Sequence, residues 1–573
     1  MKYIIPVFFL TLFFSCNSKK PAQNESGTIP ASNLIRLNQL GYFTNAKKMG
    51  SLVGEGEAIS FSVINSETGE EVFKDVLTKE KHAKLSGETI QQFDFSGLKQ
   101  EGTYQIKIDE ELYSHPFEIG INFYDDALIA VAKSYYYQRV GEEITEEHGG
   151  QWKRPAGHLD TKVAFHPDTQ KSGFIQSTKG WYDAGDFGKY ISNGAFSAGQ
   201  LLQALERNPS LYGDGSLNIP ESGNGVNDFL DELKYEADWI ATMQDEDGGV
   251  FHKLTTKRFS GAIMPHEGSE LRFIMPKATA ATFDFAAFLA KMARHYEKHD
   301  TEQAQKWLTQ AERAWKWGTA NPNVNFKNPS DVVTGEYGDE DASQEQFWAA
   351  SELYVTTGEQ QYLEFISNNL PDLTYNNGDG WKSFMRYLGV FALLNDEVTL
   401  PSNIKEILKK ELVTTADELT NRVQTFDYQQ GVNDFQWGSN SDVQNIAFVI
   451  AEAHQISPKR AYVDAVLSSL NYLFGHNGIG YSMVTGFGDN SPMNIHHRQS
   501  KADGILAPIP GFVCGGPNDD KQDAHEVDYP ENASQMHSYQ DVWESYASNE
   551  VCLNWNAPTP YLLQFAIKEG GSN

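Results

Sequence analysis

Hydrophobic and polar positions alternate along the early part of the chain. Ile59, Phe61 and Val63 are separated by polar or small neighbours, and Tyr104, Ile106 and Ile108 repeat the pattern. A period of two puts successive side chains on opposite faces of a strand. Turn-forming stretches such as Glu67-Thr68-Gly69-Glu70 and Glu101-Gly102 separate the runs. Short strands at this spacing across residues 33–120 predict a small β-sandwich. After Gly120 the period lengthens. Phe123, Ala127, Leu128, Val131 and Tyr135 fall on one helical face, as do Val226, Phe229, Leu230, Leu233, Ala237 and Ile240. Further helices are predicted over 191–207, 280–298, 302–319, 344–356, 381–394, 404–422, 443–454 and 462–474, with no sheet to partner them. Residues 121–573 therefore read as one large, mainly α domain. Loops at 141–190, 244–278, 321–342 and 475–555 interrupt the helices, and loops of that length in a compact domain usually carry function.

The chain starts on a different pattern. Lys2 precedes an almost wholly apolar run from Ile4 to Phe14, and Ser15-Cys16 follows. Residues 1–16 have the layout of an export signal, too short to span a bilayer as a stable anchor. A small residue followed by Cys resembles a bacterial lipoprotein signal, which would leave Cys16 lipidated at the mature N-terminus and the protein at the cell surface or in the periplasm. Simple secretion is the alternative. Residues 17–32 are polar, small or Pro without periodicity and read as a flexible tether.

Composition narrows the function. Acidic residues number 77 and basic residues 46, for a formal net charge of −31, which repels nucleic acid and anionic lipid surfaces but not neutral glycans. There is no Cys-x-x-Cys and no Gly-x-x-x-x-Gly-Lys loop, so zinc-finger and nucleotide readings fall away. No organic cofactor is implied. With Cys16 set aside, Cys514 and Cys552 remain, either as a disulfide or as two buried small hydrophobes.

The chemistry concentrates in Gly180-Trp181-Tyr182-Asp183-Ala184-Gly185-Asp186-Phe187-Gly188-Lys189-Tyr190. The glycines allow a tight turn or a close approach, and Asp183 and Asp186 are spaced to share a water. Trp181, Tyr182 and Tyr190 offer flat apolar faces with polar tips, which suit a sugar ring. An Asp-x-x-Asp ahead of a helix is by default a cap and a solvated acid, so a partner acid elsewhere has to decide. Candidates stand near the C-terminus: Tyr539-Gln540-Asp541, Tyr546 and Asn549-Glu550-Val551-Cys552. Upstream of them runs Ser482 to Asn490, then Ile495-His496-His497-Arg498.

These segments, taken with Trp181 to Asp186, resemble the catalytic signatures of glycoside hydrolase family 9, the cellulase family with an (α/α)6 barrel. Cys552 departs from the small Ser, Thr or Ala expected two residues after the catalytic Glu. Ile35-Arg36-Leu37-Asn38-Gln39-Leu40-Gly41-Tyr42 resembles the opening of the immunoglobulin-like module that precedes many of these domains. The resemblance implies that Asp186 is the base, that Asp183 helps hold the water and that Glu550 is the acid. It implies that His496, Arg498 and Tyr546 contact the sugar and that Asp541 orients them. The substrate implied is a β-1,4-glucan such as cellulose, cleaved by inversion within the chain. Xyloglucan or mixed-linkage glucan is the first alternative, and a glycan-binding protein without activity is the second. Trp152, Trp381 and Trp437 could line subsites, although tryptophan in a helical domain is by default core. Many relatives carry a structural calcium in the loop corresponding to 334–341. Here Gln344-Glu345 stands where an Asp-Glu pair is expected, and Lys382 where a further Asp is expected. Asp339, Asp341 and Glu345 are the remaining candidate calcium ligands, and no metal is assigned.

Overall fold

The computed structural model describes residues 31–56, 59–109, 111–375, 380–395 and 397–571. The export signal, Cys16 and most of the tether lie outside the described residues.

Alternation becomes strand between Ile35 and Gly120. One sheet has the order Ile35–Arg36, Met49–Val53, Glu88–Asp94, Lys81–Ala83. The other runs Gly41–Phe43, Phe117–Gly120, Gly102–Ile108, Ser60–Asn65, Glu71–Val76, with Leu112–Tyr113 paired to Gly102–Ile108. Phe61, Val63, Tyr104, Ile106, Ile108, Phe93 and Phe117 fill the space between the sheets. Ile59, expected to share that face, is exposed and precedes the strand.

Twelve helices among the described residues form two concentric rings. An inner ring runs through Ile191–Arg207, Thr279–Tyr296, Ser343–Thr357, Gly380–Leu393, Ser439–Ile456 and Pro558–Gly570, each packed on the next and the last on the first. Between them in sequence come Asp125–Tyr137, Asp228–Ile240, Thr301–Ala320, Gln360–Asn368, Ser402–Thr425 and Arg460–Leu473. The two sets differ as their sequences do. Almost every residue of Thr279–Tyr296 is buried, whereas Thr301–Ala320 buries only the stripe Ala304, Trp307, Ala311, Ala314, Trp315 and Gly318. This is an (α/α)6 barrel. Small residues set the close approaches: a Cβ on Gly199 would lie 2.6 Å from the Trp348 ring, and one on Gly318 would lie 2.7 Å from Phe283. The outer helix Asp125–Tyr137 is tied to the residues that lead into Pro558–Gly570: the Tyr135 hydroxyl donates to the Leu553 carbonyl at 2.8 Å and the Asn556 amide to Ser134 Oγ at 3.0 Å.

The expectation that the helical part holds no sheet is corrected. Five strands of two or three residues, in the order Phe174–Ile175, Val163–Phe165, Phe273–Ile274, Lys253–Thr255, Lys189–Tyr190, tie the long loops together at one mouth of the barrel. Strands that short show no period.

The sandwich packs on the barrel through the stretch that opens it. Asn38 donates to the Tyr124 hydroxyl at 2.7 Å and to Asn471 Oδ1 at 2.9 Å. Gln39 donates to the Gly480 carbonyl at 2.9 Å and accepts from the Asn490 backbone at 2.9 Å. Phe43, Ala46, Ala83 and Ile90 join the barrel's own hydrophobic core.

Candidate active site

The segment 180–190 crosses the mouth of the barrel as a loop held from beneath by the helix Asp228–Ile240. Glu236 accepts the Trp181 backbone N–H at 2.7 Å, and Glu232 accepts the Trp181 indole N–H at 2.7 Å. Glu232 is itself ion-paired with the buried Arg139 at 3.0 Å. Asp160 braces the far side, with Lys189 at 2.9 Å and Arg272 at 2.9 Å. Trp181 and Tyr182, read from the sequence as sugar-stacking faces, are instead core: both are buried, and Tyr182 Oη lies 2.8 Å from His158 Nδ1. Tyr190 alone of the three rings reaches the cavity.

Asp183 and Asp186 point into one cavity of about 870 Å³. Neither caps the following helix, whose first turn receives no side-chain bond. Asp183 Oδ1 accepts from Asn193 Nδ2 at 2.7 Å, and its Oδ2 accepts from the Tyr337 hydroxyl at 2.7 Å. Burial, and after it the charge on Asp186, push the Asp183 carboxyl up to about 8. Asp186 Oδ2 accepts from the Gly188 backbone at 3.1 Å and from the Tyr190 hydroxyl at 3.3 Å. The buried Lys253 adds positive charge nearby; burial lowers its ammonium to about 7, against the pull of Asp186.

Glu550 comes to the same cavity from the far end of the chain. Its strand-like segment pairs in parallel with His496, and the next residues pair with Ala184 and Cys514. Gly185 lies where these segments meet: a Cβ there would sit 1.9 Å from the His496 carbonyl oxygen. Burial pushes the Glu550 carboxyl well above the carboxylate range, the Asp186 charge adds to this, and Arg498 opposes it. Trp555 and Cys552 line the cavity beside it. A carboxyl held neutral near neutral pH opposite a hydrogen-bonded aspartate is the arrangement that separates a general acid from a general base.

The remaining expected residues divide. His496, Arg498 and Tyr546 line the cavity. His496 Nδ1 donates to the Trp543 carbonyl at 2.6 Å, and the imidazole stacks on the Trp543 indole at 4.3 Å. Burial lowers it to about 4, so the ring is neutral and presents Nε2 as an acceptor. Arg498 Nε donates to the Ser260 carbonyl at 2.9 Å, its guanidinium faces Phe259, and its Nη1 has no protein partner. Asp541 is not in the cavity. It accepts from the backbones of Met493 and Asn494 at 2.9 and 2.8 Å and from Asn549 at 3.0 Å, so it braces the segments carrying His496 and Glu550 and touches neither His496 nor Arg498.

Sequence reasoning missed Tyr337, Trp543 and the 259–261 loop, all of which line the cavity, while Trp555, expected as part of the apolar surroundings of Glu550, lines it too. Tyr337 carried no local signal; its backbone φ of 49° is the left-handed value that a bulky residue rarely adopts, and it aims the phenol at Asp183. Trp437, expected by default to be core, is 43% exposed and packs against Tyr546, ring centroids 5.7 Å apart, in the cavity wall. Trp152 is packed at the barrel surface with its indole on the Ala507 carbonyl, and the Trp381 side chain lies outside the described residues. Cys514 and Cys552 are both buried as free thiols.

The candidate calcium ligands do not fit the ion. Calcium takes six to eight oxygens, but Asp339 and Asp341 turn carboxyl oxygens onto the backbones of Asp341 and Ser343 at 2.9 and 3.1 Å. Lys382 donates to the Gly338 carbonyl at 2.6 Å and stands 3.6 Å from Asp339. Among the described residues no three acidic, His or Cys side chains are grouped to hold a metal.

Residues 124–563 match the profile described as glycosyl hydrolase family 9, and residues 31–112 match that of the cellulase N-terminal ig-like domain. A xyloglucan-specific endo-beta-1,4-glucanase of Bacteroides ovatus is 36% identical, over 96% of this chain and 96% of its own. Endoglucanase D of Acetivibrio thermocellus is 33% identical, over 92% of this chain and 82% of its own. A solved Bacteroides ovatus GH9 structure superposes with a TM-score of 0.87 at 35% identity, covering 94% of this chain and 99% of that one.

Proposed function

The chain belongs to glycosyl hydrolase family 9, an inverting β-1,4-glucan hydrolase, and from that premise we propose how its residues divide the work. Asp186 takes a proton from a water that attacks the anomeric carbon on the face opposite the leaving group. Asp183 holds that water from its second side. Glu550 gives its proton to the departing glycosidic oxygen, and that carbon inverts as one bond forms and the other breaks. Neutral His496 accepts from a sugar hydroxyl, Arg498 donates to another through its free Nη1, and Trp437, Trp543 and Tyr546 stack on glucose faces. No cofactor enters. The observation that carries this reading is the convergence of Asp183, Asp186 and Glu550 on one aromatic-walled cavity, from segments joined by the Ala184–Cys552 and His496–Glu550 bridges.

Glu550→Gln tests it. Proton transfer typically supplies about 10²–10⁴-fold, so kcat on cello-oligosaccharides should fall by that order with KM nearly unchanged. An aryl β-cellobioside with a very acidic phenol hardly needs protonation. On it, Glu550→Gln should keep part of its activity and Asp186→Asn should have none. Equal losses on both substrates would overturn the assignment of Glu550 as acid.

The reading is endo action on a β-1,4-glucan. A branched backbone such as xyloglucan is the second reading, favoured by the specificity of the Bacteroides ovatus relative and by a side cavity of about 210 Å³. That cavity opens beside Asp186 between His158, Phe259 and Glu270, with room for a branch off the main groove. Product profiles on cellulose, mixed-linkage glucan and xyloglucan discriminate the two. We also propose that the sandwich ends near residue 120, and that the protein is exported and anchored through lipidated Cys16. Loss of membrane association in Cys16→Ser is the check on the anchor.

A further inference from the structure

The loop 335–341 carries Tyr337, the donor to Asp183, and leads into the helix Ser343–Thr357. It runs into a crowd of acid. Glu345 in the first turn of that helix feels the charges of Asp284, Asp339 and Asp341. Asp284 and Glu345 are fully buried, and both oxygens of Asp284 and Oε2 of Glu345 find no well-formed hydrogen bond. Such a crowd calls for positive charge, and a divalent ion is the common way to supply it. Here the charge comes from the neighbouring inner helix Gly380–Leu393, whose Lys382 reaches the Gly338 carbonyl at 2.6 Å and stands 3.6 Å from the Asp339 carboxylate. A backbone carbonyl and a carboxylate side by side are ligands that a calcium ion would take, and an ammonium meets them with the same sign of charge.

We propose that Lys382 is this chain's built-in replacement for a bound divalent cation, tying the Gly338–Asp339 turn to the helix Gly380–Leu393 and so holding Tyr337 against Asp183 without metal. Lys382 is a positioning residue, acting on catalysis through the turn and Tyr337. Its side chain is 43% exposed and that of Asp339 10%, so the pair adds little to global stability. Its effect should appear in kcat.

Metal content, melting temperature and kinetics of the full chain test this together. The wild type should retain no stoichiometric calcium, and its melting temperature and kcat should be the same in chelator and in millimolar calcium. Lys382→Met should melt within a few degrees of the wild type, lose roughly tenfold in kcat at constant KM, and gain nothing from calcium. Lys382→Asp adds a carboxylate in place of the ammonium. In chelator it should share the kcat loss, and added calcium should raise its melting temperature and restore activity, as binding to the folded state alone requires. The proposal is overturned by a wild type that holds one calcium per chain or melts lower in chelator, by a Lys382→Met chain with unchanged kcat, or by a Lys382→Asp chain indifferent to calcium.

Discussion

Tyr337 shows how much one hydroxyl can carry in this site. Its donation to Asp183 Oδ2, with Asn193 on Oδ1, fixes the carboxyl whose neighbour has to activate water. Tyr337→Phe leaves one oxygen of a buried carboxyl without its donor, at a cost of about 1–3 kcal/mol. We expect a fall in kcat of one to two orders of magnitude at constant KM, read by steady-state kinetics; a change confined to KM would argue that the phenol binds sugar instead. Glu550 predicts a pH effect. Only its protonated form can serve the leaving group, so activity on cello-oligosaccharides should fall as pH rises through its raised range. In Glu550→Gln, assayed on the acidic-phenol cellobioside, that alkaline limb should disappear. Glu236 predicts one in stability. Burial raises it to about 8, so between the ordinary carboxyl range and pH 8 the folded chain binds a proton that the unfolded chain has lost. Stability from this group is therefore present at low pH and declines as pH rises toward 8. Glu236→Gln keeps the acceptor for the Trp181 N–H and removes the titration. It should raise stability at pH 8 by on the order of a few kcal/mol, read as a higher melting temperature, and change it little at pH 5. A gain equal at both pH values would rule this out.

At the scale of elements, the decisive contact is between the 183–188 turn and the paired segments at His496 and Glu550. Gly185 admits them, since a Cβ would meet the His496 carbonyl at 1.9 Å, and neither backbone can yield as a flexible side chain would. Gly185→Ala should leave the barrel folded, with its helical circular dichroism intact, but lower kcat by at least 10²-fold through displacement of base from acid. Wild-type kcat in that variant would show the turn to be free to move. This scale also marks what was legible in the chain. The helix expected over 191–207 has those bounds in the structure, and the others fall within a few residues, because each presents a long periodic stripe. Helices Gln360–Asn368 and Pro558–Gly570 were not foreseen: the first is short, and the second opens on Pro558-Thr559-Pro560, which in sequence reads as a break rather than as a first turn. The five short strands were too brief to show alternation. Asp183 and Asp186 stood out because two acids amid glycines and rings are a rare pattern, whereas Glu550, in Asn549-Glu550-Val551-Cys552, was reached only through the family resemblance. Trp181 and Tyr182 misled because an aromatic beside a candidate catalytic acid looks the same in sequence whether it faces sugar or core, and what decides it lies far off in the chain or outside the motif: Glu232 and Glu236 on the helix Asp228–Ile240 for Trp181, and His158 for Tyr182. Tyr337 was hidden because nothing near it in sequence points at Asp183.

At the scale of the whole molecule, the sandwich supports the barrel. Its exposed large hydrophobic residues among those described are Leu34, Ile59 and Val76, with no ring to stack on glucose. Its Asn38 and Gln39 instead hold Asn471, Gly480 and Asn490. Deleting residues 31–120 should uncover the apolar surface now met by Phe43, Ala46, Ala83 and Ile90, lowering the melting temperature by several degrees or more and promoting aggregation. The isolated sandwich should stay in the supernatant when mixed with cellulose, and its pull-down would reverse the assignment.

The closure of the inner ring by its last helix also sets an order in time. During synthesis the sandwich and Asp186 leave the ribosome well before Pro558–Gly570, and the faces which that helix must cover stay open until it has emerged. Asn193 waits for Cys552 across 359 residues of chain. A polypeptide halted before Glu550 would possess base, aromatic walls and most of its helices, yet no proton donor and an unclosed core. Stalled fragments should therefore be both inactive and short-lived, so that catalytic competence itself reports that synthesis has passed Gly570.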